Sequence, residues 1–204
     1  MKDIIRFTVT LLVVCLLSSG SLSLLYNGVK DRIEKGKILA QEEALNYALD
    51  GSAKIDKIER EGLEYFKAFN EDGTLKGFAV ICSGKGFSST IKTACGFGAS
   101  GTIIRIRVIE QQETPGLGSN LKEVRTNKFL WDIFTGKKRP EVDPTPYFQR
   151  QFFGINYNDL KIVKTPSQAS GEIQALTGAT ISSKAVMESI RAKIGEVLKA
   201  EGLK

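Results

Sequence analysis

The spacing of apolar and polar residues changes character along this chain. Between Arg6 and Lys30 there is no charged residue. That gap matches the roughly 20 residues a helix needs to cross the hydrocarbon core of a bilayer. The patch Ser18-Ser19-Gly20-Ser21 interrupts the run and resembles a signal-peptide cleavage region. Apolar residues continue beyond it through Leu22, Leu24 and Leu25 to Tyr26, which is placed as an interfacial anchor. A retained membrane helix is therefore the reading adopted, with cleavage as the alternative. Over residues 29–49, Ile33, Leu39, Ala44, Leu45 and Ala48 fall at helical spacing among charges. This predicts a juxtamembrane helix, bent or broken near Gly36 and capped by Gly51.

From Ile55 the pattern shifts to strands. Residues 63–69 and 75–82 flank Asn70-Glu71-Asp72-Gly73, a hairpin turn. Residues 83–87 read as a flexible loop. Residues 91–97 and 102–110 form a second strand pair, with Ile104, Ile106 and Val108 on one face and Arg105 and Arg107 on a solvated one. Residues 121–134 predict a helix, closed by Gly136-Lys137-Lys138-Arg139-Pro140. A long irregular connection around Pro144, Pro146 and the aromatic residues up to Phe153 follows, then short strands near 160–163 and 172–176. The last helix is expected over 183–200, with Val186, Ile190, Ile194, Val197 and Leu198 on one stripe. The fold class is α+β: a single N-terminal transmembrane helix (1–28), a helical linker (29–52), and a domain (53–204) with a mainly antiparallel sheet and flanking helices.

A chain that is 42% hydrophobic and 25% charged is globular, not disordered. Its net charge of +6 comes from scattered basic residues without an aromatic-interleaved patch, so no nucleic-acid partner is expected. Histidine is absent, which removes histidine-ligated haem, histidine zinc sites and imidazole-based triads. The three cysteines include Cys15 in the apolar segment, so this chain alone cannot ligate an iron–sulfur cluster. Redox chemistry here would need an organic cofactor. Cys82 and Cys95 are either a disulfide or buried free thiols. Lys2 and Arg6 precede the apolar segment and Lys30, Arg32, Lys35 and Lys37 follow it. Long downstream domains translocate largely regardless of such charges, so orientation stays open.

Two stretches carry candidate chemistry. Leu176-Thr177-Gly178-Ala179-Thr180-Ile181-Ser182-Ser183 joins an apolar strand to the last helix. Unpaired N–H groups and the dipole at a helix start favour a bound anion, and the threonines add an esterifiable oxygen. The plainer reading is a turn with Ser182 or Ser183 as the N-cap. In Glu113-Thr114-Pro115-Gly116-Leu117-Gly118, Pro115 holds Thr114 extended, and Pro-Gly favours a type II turn with Gly116 at positive φ. Leu117 then stands at the tip, either packed on the domain or facing a flat apolar ligand approached closely by glycine backbone.

These two motifs, in this order behind a membrane segment, resemble the FMN-binding domain of the G subunit of the Rnf electron-transport complex. The C subunit of the sodium-translocating NADH:quinone oxidoreductase is similar. The resemblance extends over the membrane segment, the Gly84-Lys85-Gly86-Phe87 loop, 113–118, 129–137 and 177–183. It implies FMN joined covalently, through a phosphoester made by a dedicated flavin transferase, to the last threonine of an (S/T)GAT motif, which is Thr180. It further implies that the backbone of Thr177, Gly178 and Ala179 positions the phosphate, that Thr114 and Leu117 border the ring, and that Gly116 and Ile181 belong to the same cofactor site. Lys85 and Lys137 are candidate phosphate or ring contacts, each with a solvated surface role as the plainer reading. Two positions depart from the family pattern: Gln174 where aspartate is usual, and Gln112 where histidine is frequent. The short chain favours the Rnf-type subunit.

The function so implied is electron transfer, without a catalytic site of its own, in a membrane-bound ion-translocating ferredoxin:NAD oxidoreductase. The other subunits of that complex, the flavin transferase and membrane lipid are its partners. The resemblance places the anchor in a bacterial or archaeal plasma membrane and the domain outside the cytoplasm. Three alternatives stand beside it: a membrane-anchored, non-redox anion-binding domain, a flavoenzyme module acting alone, and the quinone-reductase subunit.

Overall fold

The computed structural model describes residues 1–52, 54–60, 62–124, 144–167 and 170–203. It divides into two compact units, Met1–Ala40 and Gln41–Lys204. From Lys2 onward the first is helical and belongs to α1, Lys2–Ala48. Its apolar side chains, Leu11, Leu12, Leu16 and Leu17 among them, are exposed. Among the described residues α1 is the one helix long and apolar enough to cross a membrane. It runs without a break through Gly36, contrary to the expected bend. A glycine in a helix interior costs about 1 kcal/mol relative to alanine, and the helix formers Glu34, Lys35, Lys37, Leu39 and Ala40 around it absorb that. The helix ends as expected near Gly51, but Asp50 is the first residue to turn left-handed, at φ 53°, followed by Gly51 at φ 69°. The N–H groups of Asp50 and Gly51 return to the carbonyls of Tyr47 and Asn46.

Five strands form one antiparallel sheet in sequential order: β1 Lys54–Arg60, β2 Leu63–Phe69, β3 Leu75–Lys85, β4 Thr90–Phe97 and β5 Ile103–Glu110. The β2–β3 hairpin turns at Asn70 to Gly73 as the sequence predicts, with Asn70 N–H on the Thr74 carbonyl at 2.9 Å. The expected loop at 83–87 begins later, because β3 extends to Lys85 and pairs it with Thr90. On β5 the expected face is shifted by a bulge. Gly96 pairs with Arg105 but Phe97 pairs with Ile103, so Ile104 is the extra residue. Ile103, not Ile104, therefore joins Ile106 and Val108 in the core. The arginines are not simply solvated: both guanidinium groups lie over the Tyr47 ring, at 5.4 and 5.0 Å from its centroid, and Arg105 pairs with Asp50 at 2.6 Å.

Alternation along β3 splits the core between the two faces of the sheet. Phe78, Val80 and Cys82 face α3, Thr180–Ala200, whose Val186, Ile190, Ile194 and Val197 are buried against them. Ala79, with Ala68 and Ala94, faces the end of α1, where Ala44, Leu45, Ala48 and Leu49 pack. Small side chains on this second face let the helix backbone come close. Cys82 and Cys95 are buried free thiols. Burial pushes Cys82 up to about 12 and Cys95 well above the ordinary thiol range.

The expected helix over 121–134 starts instead in a 3-10 turn, Gly118–Lys122, after which Glu123 is extended; residues 125–134, and the Gly136 to Pro140 stretch, lie outside the described residues. The expected irregular connection contains a short helix, α2 Tyr147–Arg150, which buries Phe148 and Gln149. Two short strands, β6 Lys161–Val163 and β7 Glu172–Gln174, pair in parallel. They lead the chain to the start of α3. There Gly84 of β3 faces α3 so closely that a Cβ on it would stand 2.4 Å from the Ala185 carbonyl oxygen. A side chain at this position would have to displace α3.

Candidate functional site

Both unusual sequence stretches fold as four-residue turns with glycine third. In Thr114-Pro115-Gly116-Leu117 the Leu117 N–H meets the Thr114 carbonyl at 3.1 Å, and Gly116 has φ +76°, as Pro-Gly predicts. The turn is braced from outside: Ser119 Oγ accepts the Gly116 N–H at 2.9 Å, and Asn120 Nδ2 donates to the Gly116 carbonyl at 3.1 Å. In Leu176-Thr177-Gly178-Ala179 the Ala179 N–H meets the Leu176 carbonyl at 3.0 Å, and Gly178 also has φ +76°. The two turns touch. A Cβ added to Gly178 would lie 2.8 Å from Leu117 Cδ2, so the absent side chain leaves room for Leu117 to lean across.

The second turn delivers the chain directly into α3, which starts at Thr180, three residues earlier than expected. Ala179 occupies the cap position and no side chain caps the helix start. Ser182 and Ser183 are therefore inside the helix and are not its N-cap. Ser183 Oγ accepts the Leu176 N–H at 3.0 Å and donates to the Ala179 carbonyl at 3.0 Å, stapling the turn to the helix. The first N–H groups of α3 thus keep their unpaired character, with Thr180 exposed beside them.

Ser182 instead donates to the Glu113 carboxylate at 2.5 Å. The carboxylate of Glu113, a residue that is 6% exposed as a whole, also accepts the N–H groups of Phe87 (3.1 Å), Ser88 (3.0 Å) and Ser89 (2.9 Å), and the Ser89 hydroxyl (3.1 Å). Burial alone raises its pKa; the Ser182 hydroxyl and the three backbone donors outweigh burial and hold it below the ordinary glutamate value. Sequence alone gives Glu113 no role beyond opening its motif. A lone acidic residue beside a Pro-Gly turn carries no local mark, because its partners come from two other segments.

The depressed value has a consequence for stability. Above the ordinary value of 4.5 the carboxylate is ionised in both folded and unfolded chains, and its stabilisation is fully present. Below it, the unfolded chain takes up the proton first, and the stabilisation is lost as pH falls through the folded value. Denaturant titrations of wild type and Glu113→Gln should show the variant less stable at neutral pH. The gap should close as pH drops below 4.5.

These elements enclose a cleft of about 390 Å³. Phe87 forms one wall, Glu113, Thr114, Leu117 and Gly118 a second, and Gly178 to Ser182 a third. Phe87, Leu117 and Ile181 expose apolar surface around it. Of the residues expected at a site, Thr114, Leu117, Gly178, Ala179, Thr180 and Ile181 line the cleft together. Gly116 shapes the Thr114 turn and Thr177 sits exposed in the second turn, both adjacent to the lining residues. Lys85 is exposed at the end of β3, one residue before the Gly86–Phe87 corner, and does not line the cleft. Lys137 lies outside the described residues. Gln174, the departure before the second turn, is held by Tyr147, whose hydroxyl donates to its side-chain oxygen at 2.8 Å.

The chain matches a known family and several known proteins. The family described as FMN-binding domain matches residues 86–195, which include every cleft-lining residue named above. The chain is 24% identical to the G subunit of the ion-translocating oxidoreductase complex of Methanosarcina acetivorans, over 98% of each chain. It is 29% identical to the G subunit of the Na(+)-translocating ferredoxin:NAD(+) oxidoreductase complex of Acetobacterium woodii, over 95% of this chain and 91% of that one. Among solved structures it is similar to Shewanella oneidensis NqrC, with a TM-score of 0.47 and 21% identity over 68% of this chain and 61% of that one. With the family match spanning just over half of its residues, this chain belongs to the FMN-binding domain family.

Proposed function

We propose that this chain is the electron-transfer subunit of a membrane-bound, ion-translocating ferredoxin:NAD oxidoreductase of the Rnf type, carrying FMN esterified to Thr180. The observation that carries the reading is the uncapped start of α3 with Thr180 exposed at its first position, next to the Leu117–Gly178 contact. The residues present fit the cofactor. An uncapped helix start suits a phosphate, with the helix dipole contributing about 0.3–1 kcal/mol. The apolar side chains of Leu117, Phe87 and Ile181 suit a flat ring, and the cleft volume falls in the range of about 300–1,000 Å³ usual for small-molecule sites. When bound, the flavin supplies the redox chemistry; the protein supplies attachment, orientation and electrostatics.

In this reading Thr180 would hold the phosphate through its hydroxyl oxygen, and the backbone of Thr177, Gly178 and Ala179 would position it, with Ile181 beside it. Thr114 and Leu117 border the ring, and Gly116 belongs to the same site. Lys85 and Lys137 are left to phosphate contact or a surface role. Residues 1–28 anchor the chain in the lipid bilayer, 29–52 link it, and 53–204 form the flavin domain outside the cytoplasm. The partners are the other subunits of the complex, with a flavin transferase acting during maturation. An ester suits such a location, because a tethered cofactor is not lost to the surrounding medium. The relatives matched along nearly their whole length are named as the G subunits of such complexes. That favours this reading over the quinone-reductase component and over a non-redox anion-binding domain.

The test is expression of the full chain in membranes with and without a flavin transferase, followed by denaturing electrophoresis under ultraviolet light. The expected band fluoresces only when the transferase is present, and protease added to intact spheroplasts removes it. A colourless, non-fluorescent chain in the presence of the transferase contradicts the cofactor assignment. A fluorescent band that survives protease outside the cell contradicts the orientation.

A further inference from the structure

Burying a carboxylate is costly unless its lone pairs are filled. Glu113 achieves this with neutral donors drawn from two segments distant in sequence, Phe87 to Ser89 and Ser182. The fit is close on both sides. A Cβ on Gly86 would lie 2.6 Å from Glu113 Oε1, and one on Gly118 would lie 2.6 Å from Glu113 Cβ. The carboxylate is thus wedged where the three walls of the cleft meet. Its bond to Ser182 has a further effect. Successive residues on a helix are about 100° apart, so fixing Ser182 inward at the third position of α3 fixes the direction of Thr180, two residues earlier.

We propose that Glu113 is a positioning residue for the cofactor site. Through Ser182 it sets the rotation of the first turn of α3, and through the N–H groups of Phe87 to Ser89 it sets the facing wall. The Thr180 hydroxyl, Leu117 and Phe87 thereby keep one relative geometry. This rests on the reading that FMN is carried on Thr180. It assigns Glu113 no contact with the flavin: the residue acts through Ser182 and the 87–89 backbone.

The experiment compares full-length wild type, Glu113→Gln, Ser182→Ala and Tyr65→Phe, each labelled by a flavin transferase. Tyr65→Phe removes a hydrogen bond to Glu201 at the opposite end of α3 and serves as the stability control. Three quantities are read: melting temperature, labelling rate, and the visible circular dichroism of the attached flavin. At temperatures where all four are folded, Glu113→Gln and Ser182→Ala should label between about tenfold and a hundredfold more slowly, as displaced reacting groups do. Their flavin dichroism should differ from wild type, while Tyr65→Phe matches wild type in both despite a lower melting temperature. If Glu113→Gln does not fold, Ser182→Ala alone carries the comparison. Wild-type rate and dichroism in the folded variants, or a loss in Tyr65→Phe that tracks its stability, overturns the proposal. A wild type that takes no label overturns the underlying function, and with it this proposal. A labelled wild type beside equally labelled variants overturns the positioning role alone.

Discussion

Replacing Thr180 by valine should yield a folded, membrane-bound chain that, with the proposed attachment, carries no covalent flavin. Valine keeps the shape of threonine and has similar helix propensity. Thr180 is exposed, and the cap of α3 makes no use of its side chain. A surface substitution of this kind changes stability by no more than about 0.5 kcal/mol, so the melting temperature should stay near the wild-type value. The ester, by contrast, has no other oxygen to form on at that position, and the fluorescent fraction should fall to background. Thr165→Val is the matched control: the same change on an exposed threonine that does not line the cleft. It should keep its label. A label that persists in Thr180→Val and disappears in Thr177→Val would move the attachment point.

Gly84→Val should disturb the fold strongly. Gly84 pairs with Ile91 inside the sheet and lies directly beneath α3. Its Cβ would meet backbone, 2.4 Å from the oxygen and 2.8 Å from the carbon of the Ala185 carbonyl. No rotamer change relieves a contact with backbone, so the helix itself must lift from β3. Overpacking of this sort costs about 1–3 kcal/mol or more, and the upper end applies because Val186, Ile190 and Ile194 would be displaced along with it. The shift reaches the cleft too, because Thr180 to Ser182 are the first turn of the same helix. Chemical denaturation should therefore show a loss of about 3 kcal/mol, together with poor flavin labelling. Wild-type stability in Gly84→Val would mean that α3 is not seated where the structure puts it.

Much of this architecture could be read from local pattern. The β2–β3 hairpin follows from alternating residues around Asn70-Glu71-Asp72-Gly73, and the stripe of Val186, Ile190, Ile194 and Val197 identifies the helix that covers the sheet. Gly116 takes positive φ because Pro-Gly admits few other turns. What local pattern missed depends on distant partners. The bulge at Ile104 exists only in the pairing of β5 with β4. Ser182 and Ser183 have the composition of an N-cap, but the hydroxyl of one is taken by Glu113 and that of the other by the preceding turn. Gly36 has the look of a hinge because it is glycine, while the good helix formers on both sides outweigh it. Glu113 is invisible for the same reason as the bulge. Its role emerges only once the 86–89 corner and the start of α3 have been brought to it, and no spacing within 113–118 announces them.

On the proposed function, the Thr180 oxygen carries the flavin. The most direct test of this is mass spectrometry of the protease-digested chain after expression with a flavin transferase. The expected product is a peptide containing Leu176 to Lys184, heavier by the mass of FMN less one water, with fragmentation placing the added mass on Thr180. The same mass on Thr177, Ser182 or Ser183, or an unmodified peptide from protein that nevertheless holds flavin, would contradict it.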